Sequence, residues 1–352
     1  MSDNRNSVLA STVSQRSYDK TTFDSVLILT DKATFEEPFR VYQSSTGFLE
    51  DNTHADLVQA GLLLFMQEPK IVTVIVAKTD DTNTDVGTLG VTMVELDATL
   101  DTDFFSVAVV SSHTDDQLIE LAKYVETQEF MYSAYTNDAK VIALDETDLA
   151  SRVKALGLRK THVWYHATKR LDLAFISRFL GEKIGLVSAK FLVLSGVDSS
   201  NLTSSEMTNL LNKECNAYDT ERKKYIFTKQ GTTGSGENIK SVAGEIFVSV
   251  TSIEATYEIL LNNSNISFNK KDIRKITTAL NVRLRIAQKQ KIIAEDDEEL
   301  GASYIMILTP LRAESKLEVE IKYLDAGTLK WVTLKFTAFK DDTQFNIERE
   351  DV

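Results

Sequence analysis

Between residues 104 and 135 the chain switches from one hydrophobic period to another and back, and this switching restricts the fold more than any other feature. Residues 104–110 form an apolar run broken only by Ser106, the pattern of a strand. Behind Asp115 or Asp116 as a helix cap, Leu118, Leu121, Ala122 and Val125 then recur at three- and four-residue spacing. Residues 130–135 return to a strand pattern. Strand, helix and strand in this order predict a βαβ unit with parallel strands.

The same rhythm extends along the chain. Residues 26–29 and 71–76 read as strands around a helix at 55–67, residues 141–144 begin another strand, 147–156 a helix and 162–165 a further strand. Residues 24 to about 195 therefore predict one open α/β sheet. Past Gly196 the helices lengthen: one through Leu211 capped by Ser204 or Ser205, one over 239–261 and one from 270 to about 293. Strands at 303–308, 316–323 and 329–339 follow, the last two joined through Asp325, Ala326 and Gly327, whose glycine suits a positive-φ turn position. This half reads as α+β. The 352 residues suit two domains, but with only Pro38, Pro69 and Pro310 and no Gly/Ser-rich linker the division near 196–203 is soft. Residues 1–22, rich in Ser, Asn, Asp and Thr, carry too few apolar side chains for a core and read as a flexible arm. The expected division is thus an arm at 1–22, an α/β domain at 23–198, an α+β domain at 199–327 and a strand with an arm at 328–352.

Composition narrows the function classes. The chain is 43% hydrophobic and 26% charged, as globular domains are, and 39 Lys and Arg against 52 Asp and Glu give a net charge of −13. That balance argues against a nucleic-acid coat and against binding to anionic membranes. Cys215 alone excludes an intramolecular disulfide and a thiolate zinc site, and no apolar run is long enough to span a bilayer. The first residues lack the apolar core of a signal peptide, which predicts a soluble protein assembled in a reducing cytoplasm.

Candidate chemistry is thin. Gly231, Gly234 and Gly236 fall between a strand and a helix where a phosphate loop would sit, yet Glu237 follows in place of the lysine such a loop needs, so a connecting loop is the reading. Asp81, Asn83 and Asp85 match the first three places of a calcium loop, but Val86 replaces the glycine and Thr92 the bidentate glutamate. His162 and His166 are separated by strand-forming residues, which places them too far apart to share a metal; His54 and His113 stand at predicted helix starts as polar caps or surface contacts. No catalytic, cofactor-binding or metal residues are predicted. The acidic run at 295–299 reads as a solvated helix end or loop.

One charge feature stands out. Lys270, Lys271, Arg274, Lys275, Arg283, Arg285, Lys289 and Lys291 face only Asp272 in their segment, while Ile273, Ile276, Leu280, Leu284 and Ala287 form an apolar stripe. This predicts a docked amphipathic helix whose basic face is either solvated or turned to an acidic partner.

The order of these segments resembles the contractile tail sheath proteins of bacteriophages and their relatives in R-type bacteriocins and contractile injection systems. The resemblance is carried by residues 23–29 as a first core strand, by 41–48 leading to 69–71, by 104–107 with the helix at 115–128, by 190–197 with Leu202, Thr203, Glu206, Leu210, Leu211 and 216–218, by the turn at 234–237 with the helix from Ile239, and by 327–332 as a closing hairpin. It departs from the family in lacking a proline near Gly185 or Asp198. The resemblance implies a two-domain sheath fold with extended N- and C-terminal arms that add strands to neighbouring subunits. It implies a structural protein without nucleotide or metal that stacks as hexameric rings around an inner tube and contracts to drive the tube through a target envelope. Its partners would be further copies of itself, the tube protein, and baseplate and tail terminator proteins, with neither nucleic acid nor membrane insertion. Its place would be the virion tail, assembled in the bacterial host cytoplasm.

Lys270, Lys271, Arg274, Lys275, Arg283 and Arg285 are then expected to contact the tube. Val332, Leu334, Phe336 and Ala338, on one face of an alternating strand, are expected to pair between subunits. Two other readings stay open: an enzyme or small-ligand-binding protein on the N-terminal α/β sheet, where such folds hold ligands, and a monomeric binding module.

Overall fold

The structure, a computed structural model, describes residues 23–79, 87–100, 103–222, 224–263, 266–267, 269–296, 301–311 and 316–327. Its centre is a strand that explains the apolar run near the start of the sequence. All six residues of β1 (Ser25–Thr30) are buried, because β3 (Thr73–Lys78) and β4 (Ser106–Val109) flank it in parallel and both faces are covered. β2 (Phe39–Tyr42) closes one edge antiparallel to β3. On the other side β5 (Met131–Thr136), β6 (Thr161–Tyr165) and β7 (Cys215–Glu221) continue in parallel, and β8 (Tyr225–Lys229) ends the sheet antiparallel to β7. The order is β2-β3-β1-β4-β5-β6-β7-β8.

Alternate residues of each strand feed two cores. Val26, Ile28, Val74, Val76 and Ala108 pack toward α2 (Ala55–Phe65), α6 (Leu171–Leu180), α8 (Ile239–Asn262) and α9 (Lys270–Lys289). Leu27, Leu29, Ile75, Ala77, Val107 and Val109 pack toward α3 (Thr88–Thr99), α4 (Asp115–Glu126), α5 (Leu149–Ala155) and α7 (Ser204–Asn212). A short α1 (Ser45–Asp51) joins β2 to α2, and Phe48 anchors it in the first core. A second sheet of two strands, β9 (Tyr304–Leu311) and β10 (Lys316–Tyr323), follows α9. This mixed α/β architecture is the one the sequence predicts.

Several boundaries differ from expectation, each for a physical reason. Residues 141–144 are not a strand: a 3-10 turn occupies Ala139–Ile142, because β6 has β5 on one side and β7 on the other and leaves no slot between. The large sheet also continues past residue 195, since β7 and β8 extend it to Lys229, beyond the expected division near 196–203. The cap of α4 is Thr114, not Asp115 or Asp116, and that of α7 is Thr203, not Ser204 or Ser205. Each forms a reciprocal capping box, with Gln117 and Glu206 respectively. The helix from Lys270 stops at Lys289, and Lys291 turns with φ +56°. Strand 329–339, with the expected hairpin into it, and both arms lie outside the described residues.

Candidate functional site

The basic helix is built as its pattern demands. Ile276, Leu280, Leu284 and Ala287 are buried on the side where α9 packs on α8, Leu284 and Ala287 within the sheet's first core, so Lys271, Arg274, Val282, Arg285 and Lys289 form a stripe on the opposite side, all exposed. From Lys271 to Lys289 that stripe runs about 27 Å at 1.5 Å per residue. Lys270 is exposed beside it. Of the six residues expected to meet a tube, Lys270, Lys271, Arg274 and Arg285 make no ion pair among the described residues. Lys275 and Arg283 are half-buried and engaged within the chain: Lys275 Nζ lies 3.0 Å from Asp272 Oδ1 and donates to Asn263 Oδ1, and Arg283 Nη2 reaches Glu258 at 3.4 Å. The start of the helix is knotted by Asp272, whose Oδ2 accepts from Ser267 N and Oγ and from Asn269 Nδ2. Its hydrogen bonds to Lys275, Ser267 and Asn269 hold its pKa down at about 2.

The β9–β10 hairpin sits at the foot of the two long helices. Tyr304, Met306, Ile321 and Tyr323 face the first core, while Ile305 and Ile307 stand 51% and 41% exposed beside Glu318, Glu320 and Lys322. The hairpin is tied down by Ala294 N to Leu324 O, by Tyr304 Oη to Asn281 Oδ1 and by Ser241 Oγ to Asp325 Oδ2. Gly327, past its end, has φ +67°. Neither edge pairs with a third strand among the described residues. Two eight-residue strands without a third neighbour among the described residues form a template for added strands. Val332, Leu334, Phe336 and Ala338 lie outside the described residues.

The chemical candidates resolve into structural roles. The amides of Gly231 and Thr232 both donate to Asn216 Oδ1 at 2.8 and 3.0 Å, Gly234 N to Thr161 O and Ser235 N to Leu158 O. The loop's donors are thus turned into the protein instead of out toward a phosphate. Glu237 is gripped by Arg159 through Nε at 2.6 Å and Nη2 at 2.9 Å, and that guanidinium holds its carboxyl below the usual range. His162 is buried, accepts from Trp164 Nε1 at 2.7 Å, and burial pushes its pKa down to about 3. His166 accepts from the amides of Thr168 and Lys169, and His54 caps α2 through Asp56 N. Cys215 is buried and burial drives its thiol pKa up, which makes it a packing residue. Asp296, in the acidic run, accepts from Ser303 N and Oγ and from Gln288 Nε2 and so fastens α9 to β9. Asp81, Asn83 and Asp85 lie outside the described residues, and among the described ones no three His, Cys, Asp or Glu side chains group as metal ligands.

A parallel-centred sheet carrying a two-helix and hairpin extension is the fold of the contractile sheath proteins. The chain is similar to a chain of the six-fold symmetrised anti-feeding prophage baseplate, with a TM-score of 0.66 at 12% identity over 95% of this chain and 98% of that one. It is similar to a chain of the sheath complex of PVC, an extracellular contractile injection system, in the contracted state (TM-score 0.65, 12% identity, 91% and 93% covered). A sheath tail protein from Listeria innocua matches at a TM-score of 0.60 and 9% identity over 86% of this chain and 95% of that one. No family model matches the sequence, and no curated protein sequence matches it.

Proposed function

We propose that this chain is the structural subunit of a contractile tail sheath, which polymerises as stacked hexameric rings around an inner tube and contracts to drive the tube through a target cell envelope. The observation that carries the reading is the similarity of fold over nearly the whole length of both chains, 95% and 98%, to a component of a contractile assembly. The protein acts by assembly and not by catalysis. The open edges of the β9–β10 hairpin accept strands from neighbouring copies, supplied by residues 1–22 and 328–352, with Val332, Leu334, Phe336 and Ala338 facing the acceptor. Each added backbone hydrogen bond is worth about 0.5 to 1.5 kcal/mol net, and many of them repeated through a lattice hold rings together. The exposed stripe of α9 faces the tube. Baseplate and terminator proteins bound the polymer at its two ends, and the assembly is built in the bacterial host cytoplasm as part of a tail.

Size exclusion followed by negative-stain imaging of the purified protein tests this. Tubes or rings are the expected result, and deletion of either arm should leave folded monomers by circular dichroism. A compact monomeric particle from the full chain under all conditions, or normal tubes from both truncated proteins, would contradict it.

A further inference from the structure

Both aromatic side chains that stand exposed among the described residues, Phe191 at 50% and Tyr225 at 56%, belong to one patch at the end of the large sheet. β8 is the last strand there, and its Tyr225 and Phe227, two residues apart, share a face. Residues 191–192 lie along its outer side: Phe191 N donates to Thr228 O at 3.1 Å, and Thr228 N to Leu192 O at 2.9 Å. The Phe191 ring thereby comes within 5.1 Å of the Phe227 ring, centre to centre, with exposed Val193 next to it along the chain.

Phe191 holds φ at +71°, in the left-handed region that a bulky side chain disfavours, while half of that side chain faces solvent. An outlier of this kind, spent on a ring that the core does not use, points to a function at the surface. Cations rim the rings: Lys190 Nζ lies 5.0 Å from the centre of Phe191, Lys229 Nζ 3.9 Å from that of Phe227 and Lys224 Nζ 5.3 Å from that of Tyr225. The nearby carboxylates are engaged, Glu221 with Lys229 at 2.9 Å and Asp219 with the amides of Leu202 and Thr220. Arg222 and Lys224 are exposed and make no ion pair among the described residues. With Lys223 between them in sequence, the patch is aromatic along β8 and basic at the turn before it.

A segment of matching chemistry lies in the chain's own sequence. Residues 341–352 hold five acids, Asp341, Asp342, Glu348, Glu350 and Asp351, against Arg349 alone, with Phe345 and Ile347 between them. They are within reach of the patch. Gly327, the last described residue, gives its carbonyl to Lys240 Nζ at 3.1 Å, and the amide of the adjacent Ile239 donates to Gly231 O at 3.1 Å. Gly231 backs onto Lys190, since a Cβ there would lie 2.8 Å from Lys190 N. This path puts Gly327 no more than about 30 Å from Phe191, and residues 328–339 alone span about 40 Å when extended. We propose that residues 341–352 dock on this patch of their own chain in the unassembled subunit, with Phe345 and Ile347 on the rings and the acids over Arg222 and Lys224. While docked they hold residues 332–338 back from neighbouring copies, so a growing lattice must compete for that strand. This consequence rests on the sheath reading; the docking itself does not.

Crosslinking of the full chain tests the proposal. Asn346→Cys supplies one accessible thiol, because Cys215 is buried and burial drives its own thiol pKa up. The variant is loaded with a benzophenone maleimide, and an equal mixture of light and heavy-nitrogen-labelled protein is irradiated as the monomer fraction from size exclusion. Crosslinks within one chain to residues 190–194 and 224–228 are expected in the peptide map. Phe191→Gly suits the backbone while deleting the ring, and it should lower their yield about tenfold with the circular dichroism spectrum unchanged. Arg222→Glu with Lys224→Glu should do the same without touching the rings. Crosslinks that join light to heavy chains would give the patch to a second copy and overturn the proposal. Crosslinks to other parts of the surface, or a yield unchanged in both variants, would overturn it as well. No outcome reads tube formation, so the sheath reading stands or falls separately.

Discussion

Asn216 shows how much of this fold hangs on single polar side chains. Fully buried in β7, it donates through Nδ2 to Val163 O at 3.0 Å and Thr232 O at 2.8 Å, and its Oδ1 receives the amides of Gly231 and Thr232. One amide group thereby fastens the sheet to the turn that launches α8. Asn216→Ala strips partners from buried backbone groups on both segments, and a loss of about 3 kcal/mol in urea unfolding is expected. A loss under about 1 kcal/mol would show that water replaces the amide. Nothing in the sequence around Asn216 announces this role, because its partners come from residues 53 positions before it and 16 after it. His54 was legible as a cap, since a polar residue just ahead of an apolar period can act only locally. Lys213 was not: its ammonium meets the Asp148 carboxylate at 2.8 Å and the Lys140 carbonyl, contacts made only once α7 lies over the 3-10 turn.

Among the elements, those with a clean period were readable and those buried all round were not. In α9 the apolar positions recur at a clean helical period, so its start and its docked face follow from sequence, while its end falls at Lys289, short of the expected 293. In α6 nine of ten residues are buried, which erases the stripe, and β7 hides a strand behind buried Asn216 and Asp219. Two predictions belong to α9. The first concerns acid. Asp272 has a folded pKa lowered to about 2 against an ordinary 3.8, so its contribution to stability is complete above the unfolded value and disappears as pH falls from about 4 through 2. Asp272→Asn should therefore lower stability at pH 7 and flatten the acid-unfolding curve in that window; an unchanged curve would remove Asp272 from the helix start. The second concerns the exposed stripe. Reversing Arg274, Lys275, Arg283 and Arg285 to Glu should abolish assembly around the tube while leaving the circular dichroism spectrum of the monomer intact. Lys275 and Arg283 also give up their pairs with Asp272 and Glu258, so Arg274→Glu with Arg285→Glu alone is the sharper variant. Tube-filled particles like wild type from that pair would place the stripe on the outside of the lattice.

At the scale of the whole molecule, the sequence carries the architecture further than it carries the boundaries. The order of apolar and turn segments reaches the sheath fold, although solved sheath chains share only 9–12% of its residues, because burial pattern and not side-chain identity specifies a sheet covered on both faces. The division near 196–203 could not be placed from composition, since β7 and β8 return to the first sheet after the chain has already changed character. On the proposed reading, a chain with net charge −13 would hold an inner tube through one basic stripe by contacts of roughly 0 to 1 kcal/mol each, screened by salt. Such contacts would suit the proposed sheath, which would have to release the tube as it expands, and they would leave the work of contraction to the change in packing between subunits. The glycine-rich turn at 231–236 offers no alternative drive, because its amides are spent on Asn216, Thr161 and Leu158, and Glu237 closes it with negative charge. Contraction should therefore need no nucleotide. Sheath assembled on its tube and treated with a nucleotide-hydrolysing enzyme should shorten on triggering to the same extent and in the same fraction of particles as with ATP present, as measured by negative-stain lengths. Shortening that appeared only after ATP was added back would mean that the energy enters through a site on another surface, and the reading of the extended lattice as a loaded spring would fail.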